Sequence, residues 1–191
     1  MAVDVFMVIP SPLAGTLSPV PLTADPVSDP YFSQTYVGKA AAVVELRSFS
    51  LSAENPATVG SATSVAGAGK VKFNVLQVEK TVDRLSPSLF AASAMGAYFP
   101  TVQIFVRKAL GGATPGKPYL AYEFSMVFIN RIDWSGGGGD EAAVEQLEFA
   151  YGGLVVGYYP QQPDGSTGKL LALGWSVVTN MRTDTNTLPA S

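Results

Sequence analysis

The chain has no cysteine and no histidine among its 191 residues. The first absence excludes disulfides, thiolate metal sites and a cysteine nucleophile. The second excludes an imidazole general base and histidine ligation of zinc or haem. Charge is also scarce: Asp, Glu, Lys and Arg make up 14% of the residues, with 12 basic against 15 acidic and a net charge of -3. The basic residues are scattered and form no stripe, so no nucleic-acid partner is expected. A monomer needs charge on its surface to stay soluble, whereas a subunit that hides surface against copies of itself needs less. Self-association is therefore the first expectation. Residues 5–24 carry no charge at all, but Pro10, Pro12, Pro19 and Pro21 each remove a backbone donor from any helix there. That run is not read as a membrane span, and no membrane insertion is expected. The opening Met1-Ala2-Val3-Asp4 lacks a positive n-region and does not read as a signal peptide.

What is present is a β-rich pattern punctuated by 19 glycines and 14 prolines. The length suits one domain with a real core, assigned to 1–191. Strand signals cover 3–9 and 42–51. Segment 70–80 alternates Val71, Phe73 and Val75 against Lys72 and Asn74. Segment 101–109 alternates Val102, Ile104 and Val106 against Gln103 and Arg107. Segment 119–129 is almost wholly apolar, as for a strand covered on both faces, so a lysine inserted there is expected to destroy folding. Further signals cover 142–151, with Leu147, Phe149 and Tyr151 on one face, then 154–159 and 170–179. Gly152-Gly153 fits either a hairpin turn or a kink in one long strand. One helix is expected at about 87–95: Ser86 suits the cap, Pro87 the first position and Gly96 the left-handed stop. Its body, LFAASAM, has no polar face, so it is expected to plug a barrel end or lie against a sheet. The fold class is mainly β: roughly eight antiparallel strands in a barrel or sandwich with one short helix. Extended loops are expected at 10–39 and 52–69, the latter small and polar (SAENPATVGSATSVAGAG), and 183–191 reads as a polar tail that is unordered unless something holds it.

Signals for chemistry are few. Gly136–Gly139 lacks the Lys and Ser/Thr of a phosphate loop, and Asp140-Glu141 would repel phosphate. Asp140, Glu141, Glu145 and Glu148 offer carboxylates for glycoside chemistry, but a strand would put Glu141 and Glu145 on one face and Glu148 on the other, and no other polar residues cluster near them. No Asp-rich loop has calcium spacing. Catalytic, cofactor-binding and metal-binding residues are all expected to be none. Trp175 is expected in the core, whereas Trp134, beside the glycine run, suits a binding surface or an anchor.

The order of these elements resembles the haemolysin co-regulated protein (Hcp) family of type VI secretion systems, a relative of contractile phage tail-tube proteins. The resemblance begins at Met1-Ala2-Val3-Asp4 and strengthens at Gly69-Lys70-Val71. It continues through KTVDRLSPSLFAASAMGAYFP (80–100), which is similar to a K-x-x-D-x-x-S-P-x-L segment followed by a small-residue helix and a G-x-x-[YF]-P exit. VQIFVRKA (102–109), the glycine-rich 136–140, YYPQQPDG (158–165) and Gly174-Trp175 complete it, over about three quarters of the chain. The 10–39 stretch is longer and richer in proline than the family's connection.

The resemblance implies a non-enzymatic structural subunit forming hexameric rings that stack head to tail into a tube. It implies a lumen that carries or chaperones effectors, with sheath and tip or spike proteins as further partners. It also implies a cytoplasmic location when assembled and secretion without a cleaved leader. It favours one long bent strand through Gly152-Gly153. It places Ser48 where the second strand faces the lumen. Alternation adds Leu46 and Ser50 to that face, so these three are the cargo-contact candidates, against the alternative that Ser48 is an ordinary outward serine. The uncharged loops 10–39 and 52–69 are expected to order on assembly, or else to be simply mobile. Two other classes compete. One is a monomeric β-sandwich binding module for carbohydrate or protein, displaying Tyr31, Phe32 and Tyr36. The other is a hydrolase built on Glu145 and Glu148.

Overall fold

A computed structural model describes residues 3–10, 22, 24, 29–36, 41–56, 70–109, 116–162 and 166–190. Most of the 10–39 loop and residues 57–69 of the second loop lie outside these residues, so their expected ordering on assembly does too. In chain order the elements are β1 (Val3–Ile9), α1 (Pro30–Thr35), β2 (Ala42–Leu46), β3 (Ser48–Ser50), β4 (Ala53–Glu54), β5 (Lys72–Phe73), β6 (Leu76–Thr81), α2 (Ser86–Ala94), β7 (Tyr98–Lys108), β8 (Leu120–Ser135), β9 (Val144–Tyr158), β10 (Leu171–Ser176) and β11 (Met181–Thr183). The mainly β, antiparallel class is as expected. The sheet is open and sandwich-like rather than a closed barrel, with strand order β11-β10-β9-β8-β7-β1-β2.

The long hairpin β8–β9 organises everything else. One side of β9 is shared: residues 144–149 pair with β6, and residues 153–158 pair with β10. The two neighbours diverge at Gly152-Gly153, so the kinked-strand alternative holds and no turn forms there. The kink continues across the sheet. Pairing skips from Phe99–Val127 to Thr101–Ser125 between β7 and β8, and from Val127–Tyr151 to Ser125–Gly153 between β8 and β9. Pro100, Met126 and Gly152 therefore sit in one unpaired row. Met126 takes φ +52°, a left-handed conformation rare for a non-glycine residue. A Cβ on Gly152 would come within 3.2 Å of the Met126 side chain, so the missing side chain gives the bend its room. The bend carries β6 and β3 over β1, β2 and β7. The resulting core contains Met7, Ile9, Leu76, Phe99, Val102, Ile104, Phe124, Leu147 and Phe149.

The helix α2 closes this core with Leu85, Leu89 and Ala92. Pro87 sits in its first turn, and Gly96 ends it at φ +62°. Two expectations about it fail. Leu85 rather than Ser86 is the cap residue, and Asp83 accepts the Leu85 N–H instead. The helix is also not buried all round, because Phe90 and Met95 face outward.

The other face of the sheet was expected to be polar along β7. It is buried instead: Phe6, Val8, Phe105, Ala121 and Val155 form a second core. Two segments cover it. The first is α1, an element not expected within the long loop. Asp29 caps it by accepting the Tyr31 and Phe32 N–H groups, and Arg107 pins Asp29 by an ion pair while its guanidinium lies 4.7 Å from the Phe6 ring centroid. Phe32 and Tyr36 are thereby buried against the chain's own sheet, which removes them from the exposed aromatic surface that the binding-module alternative required. The second cover is the C-terminal segment. It was expected to be unordered without a partner, yet Leu188 inserts into this second core. Trp175 is half-buried between Leu154 and Arg182 on neighbouring strands rather than in the core.

The strained row is testable. Met126→Gly removes the cost of a left-handed non-glycine residue, about 1 kcal/mol, which offsets the extra chain entropy of glycine. Met126→Val places a β-branched residue at that φ and is expected to lose about 2 kcal/mol. Urea unfolding checks both: Met126→Gly near the parent midpoint, Met126→Val clearly below it.

Candidate functional site

Two polar clusters stand out from the apolar framework. The first lies under α2. The side chains of Lys80 and Glu145 are fully buried, with Nζ 2.9 Å from Oε2. The Lys80 ammonium also lies 2.9 Å from Asp83 Oδ1 and donates to the Thr81 carbonyl and the Ser86 hydroxyl. Ser86 in turn accepts the Asp83 N–H and donates to Glu145 Oε2 at 2.9 Å. The other Glu145 oxygen accepts the Trp134 indole N–H at 2.8 Å. This is what the K-x-x-D-x-x-S spacing does: residues at i, i+3 and i+6 wrap around one ammonium as the strand turns into the helix. Sequence reasoning placed Glu145 among candidate carboxylates and did not foresee a buried lysine opposite it. A Ser–Lys contact can serve nucleophilic chemistry when the amine is a free base facing a pocket. Here the ammonium is enclosed by two carboxylates, a hydroxyl and a carbonyl, so the cluster ties β6, β9 and α2 together.

The second cluster contains two of the three residues expected to contact cargo. The strand expected over 42–51 breaks at Arg47. Its first half pairs with β1 and its second half with β6. This break shifts the alternation by one residue. Leu46 points into the main core, whereas Ser48 and Ser50 are exposed. Leu46 is therefore separated from the other two and is withdrawn from that face. The remaining pair begins two cross-strand rows. Ser48, Glu79, Gln146 and Asp133 lie opposite one another across β3, β6, β9 and β8, and Ser50, Gln77, Glu148 and Arg131 form the next row. Between them Phe49, Val78, Leu147 and Ile132 point to the core side. The rows are laced by Gln77–Glu148 and Gln146–Glu79 hydrogen bonds, both 3.3 Å, and by the Arg131–Asp133 ion pair at 2.7 Å. The result is a shallow, water-facing groove lined by three carboxylates, one of them paired with the exposed Arg131 guanidinium. Glu148 is bonded here and Glu145 is buried behind it, so the two carboxylates of the hydrolase alternative do not share a cleft. Among the described residues no three acidic side chains cluster as metal ligands would.

Several tyrosines titrate above the ordinary phenol range because they are buried. Burial pushes the Tyr151 phenol up to about 12, where its hydroxyl donates to the Asn74 carbonyl. Burial raises Tyr36 and Tyr159 as well, with neighbouring tyrosines and the Glu123 charge adding to the effect. None of these groups lies in the groove.

The family model described as Type VI secretion system effector, Hcp, matches residues 35–158, which include both polar clusters. The chain belongs to the Hcp family. Protein hcp1 of Pseudomonas aeruginosa is 29% identical over 114 residues, covering 59% of this chain and 69% of that one. A solved type six secretion system protein shares 26% identity at a TM-score of 0.72, covering 95% of this chain and all of the other. Hcp1 from Salmonella typhimurium has the same fold at 22% identity and a TM-score of 0.64, covering 96% of this chain and all of its own. Hcp proteins are secreted tube proteins of type VI secretion, structural rather than enzymatic. Among the described residues no helix is long and apolar enough to cross a membrane.

The role assigned to the Lys80 cluster predicts a specific pattern. Lys80→Met strands the buried Glu145 charge and is expected to cost about 3–5 kcal/mol, and Glu145→Met likewise strands Lys80. The double replacement removes both charges and is expected to recover much of that loss, because a well-packed apolar pair avoids the desolvation cost. A double-mutant cycle by denaturant unfolding reads this directly. Additive losses would refute direct pairing.

Proposed function

We propose that this chain is the ring subunit of a type VI secretion tube, assembling as hexamers that stack head to tail around an effector-carrying lumen. The observation that carries the reading is a pair of exposed apolar surfaces at opposite ends of the β8–β9 hairpin. At one end Leu171 and Leu173, about 60% exposed, lie across the ladder from exposed Tyr158 and Val156. At the other end exposed Phe90 and Trp134 pack as tilted rings with centroids 5.8 Å apart, beside Val82 and Pro87. Fourteen strand steps, roughly 45 Å measured along the bent strand, lead from Leu120 beside the first surface to Trp134 at the second. Exposed apolar patches mark contact surfaces. Two different patches at opposite ends favour head-to-tail contacts, which close into rings or extend into stacks. The low charge of the chain agrees with this.

The face carrying Ser48 and Ser50 is the cargo-contact surface in this reading. It is a pleated polar floor backed by core, suited to reversible contact with a folded effector. Sheath and tip or spike proteins are the further partners. The tube assembles in the cytoplasm and is then secreted.

Light scattering and negative-stain microscopy of the purified protein test the assembly. Rings or tubes are expected, and a stable monomer at high concentration would overturn the reading. Leu171→Glu combined with Leu173→Glu is expected to give monomers that keep the parent's circular dichroism, because both side chains are already solvated in the free subunit. Ser48→Arg with Ser50→Arg is expected to leave rings intact and lose effector co-purification.

A further inference from the structure

The C-terminal segment outside the family match is held by a built site. Thr183, Gly174, Val155, Glu123 and Gln103 lie in one row across β11, β10, β9, β8 and β7. From Thr183 the chain crosses this row at right angles to the strands and reaches Glu123 at Thr187. Both Glu123 oxygens accept the Thr187 N–H, at 3.0 and 2.9 Å, and one also accepts its hydroxyl at 2.7 Å. Gln103, buried beneath, donates to the same Glu123 oxygen and to Thr187 Oγ1, and it accepts the Tyr36 hydroxyl of the α1 segment. Leu188 then fills a hole over Gly157, where a Cβ would stand 2.7 Å from Leu188 Cδ1, and Tyr159 donates to the Pro189 carbonyl at 2.8 Å.

The anchor is thus three residues, Thr187-Leu188-Pro189, seated in a channel walled by β7, β8 and β9. The spacer before it is polar, and its hydrogen bonds are local: Arg182 to Asp184, Asn186 to the Asp184 carbonyl, and the Thr185 N–H to Thr183 Oγ1. It also has no slack. Three strand spacings measure roughly 14 Å, and four extended residues reach about 14 Å. The anchor can leave the channel without breaking any strand pairing. A displacement of the β10–β11 edge strains the spacer directly.

We propose that this channel is a peptide-binding site for an extended Thr-Leu-Pro segment, filled by the chain's own tail in the free subunit and by the tail of a second copy in the assembly. The exchange conserves every contact, as in other swaps of identical elements between protomers. The part of the proposal that involves assembly rests on the tube reading above, whereas peptide binding does not.

The test uses full-length chains and a fluorescent peptide of residues 183–191. In Leu188→Asp the chain's own tail cannot seat, so the peptide is expected to bind this variant at least tenfold more tightly than the parent, whose tail competes. Adding Glu123→Gln, which replaces an acceptor with an amide facing the Thr187 donors, is expected to abolish binding. Circular dichroism establishes that each variant is folded, and Gly157→Val is a second way to block the channel. Mixing the Leu188→Asp chain, with its open channel, and the Glu123→Gln chain, with its sound tail, is expected to yield mixed pairs by native mass spectrometry. A folded Leu188→Asp chain that does not bind the peptide overturns the site. Peptide binding without mixed pairs overturns the exchange. Rings without peptide binding would leave the tube reading standing and remove this proposal. Peptide binding by a chain that never forms rings would do the reverse.

Discussion

The bend through Pro100, Met126 and Gly152 is the constraint on which the rest depends. A straight β8–β9 hairpin would carry β6 and β10 along one continuous edge and leave a flat sheet with two unprotected apolar faces. Bending the three central strands at one row separates those neighbours and turns β6 and β3 back over β1, β2 and β7. The main core forms between the halves. The bend requires a proline that donates no ladder hydrogen bond, a residue held at φ +52° and a glycine with no side chain to collide with it. None of these choices favours a strand by itself, and together they specify where the sheet folds.

A bent sheet still has a second face, and this chain covers it with segments that are not strands. The α1 segment and the C-terminal segment meet at Gln103, which bonds Tyr36 on one side and Thr187 on the other. The polar node Gln103–Glu123 lies buried in a layer whose other buried polar pair is Arg107–Asp29, and each of its members is hydrogen-bonded, which is the condition under which burying polar groups is tolerated. The Lys80 cluster solves the equivalent problem at the opposite end. Buried charge there is fully engaged by Glu145, Asp83, Ser86 and Thr81, and it fixes α2 against the sheet. Both nodes act as registration points: they hold irregular segments that hydrophobic contact alone would leave free to slide.

These covers leave exposed apolar side chains at the two ends of the hairpin, others at the bend in Met126, Phe128 and Val178, and a polar surface on the Ser48–Ser50 face. That distribution suits a subunit whose ends meet copies of itself and whose polar floor meets water or cargo. The proposed assembly would also account for the low charge, since surface buried between copies needs no charge to remain soluble.

The sequence by itself determined the β-rich class, the longer helix α2 with its proline and glycine boundaries, the family, and the absence of cysteine or histidine chemistry. These follow from residue type and local spacing, which act over a few residues. Alternation also found the core residues of β7 and β9. The tertiary structure decided what depends on partners far along the chain. Phase shifts at Arg47 and at Asn74–Val75 moved Leu46 into the core and brought Lys80 to a buried position, because each strand changes its pairing there. The polar side of β7 became interior because Arg107 and Gln103 found partners in Asp29, Tyr36 and Thr187. The tail is ordered because Glu123 and Gly157 provide a seat more than thirty residues away. A hydrogen bond between residues so far apart leaves no period in the sequence, so only the folded sheet could bring them together.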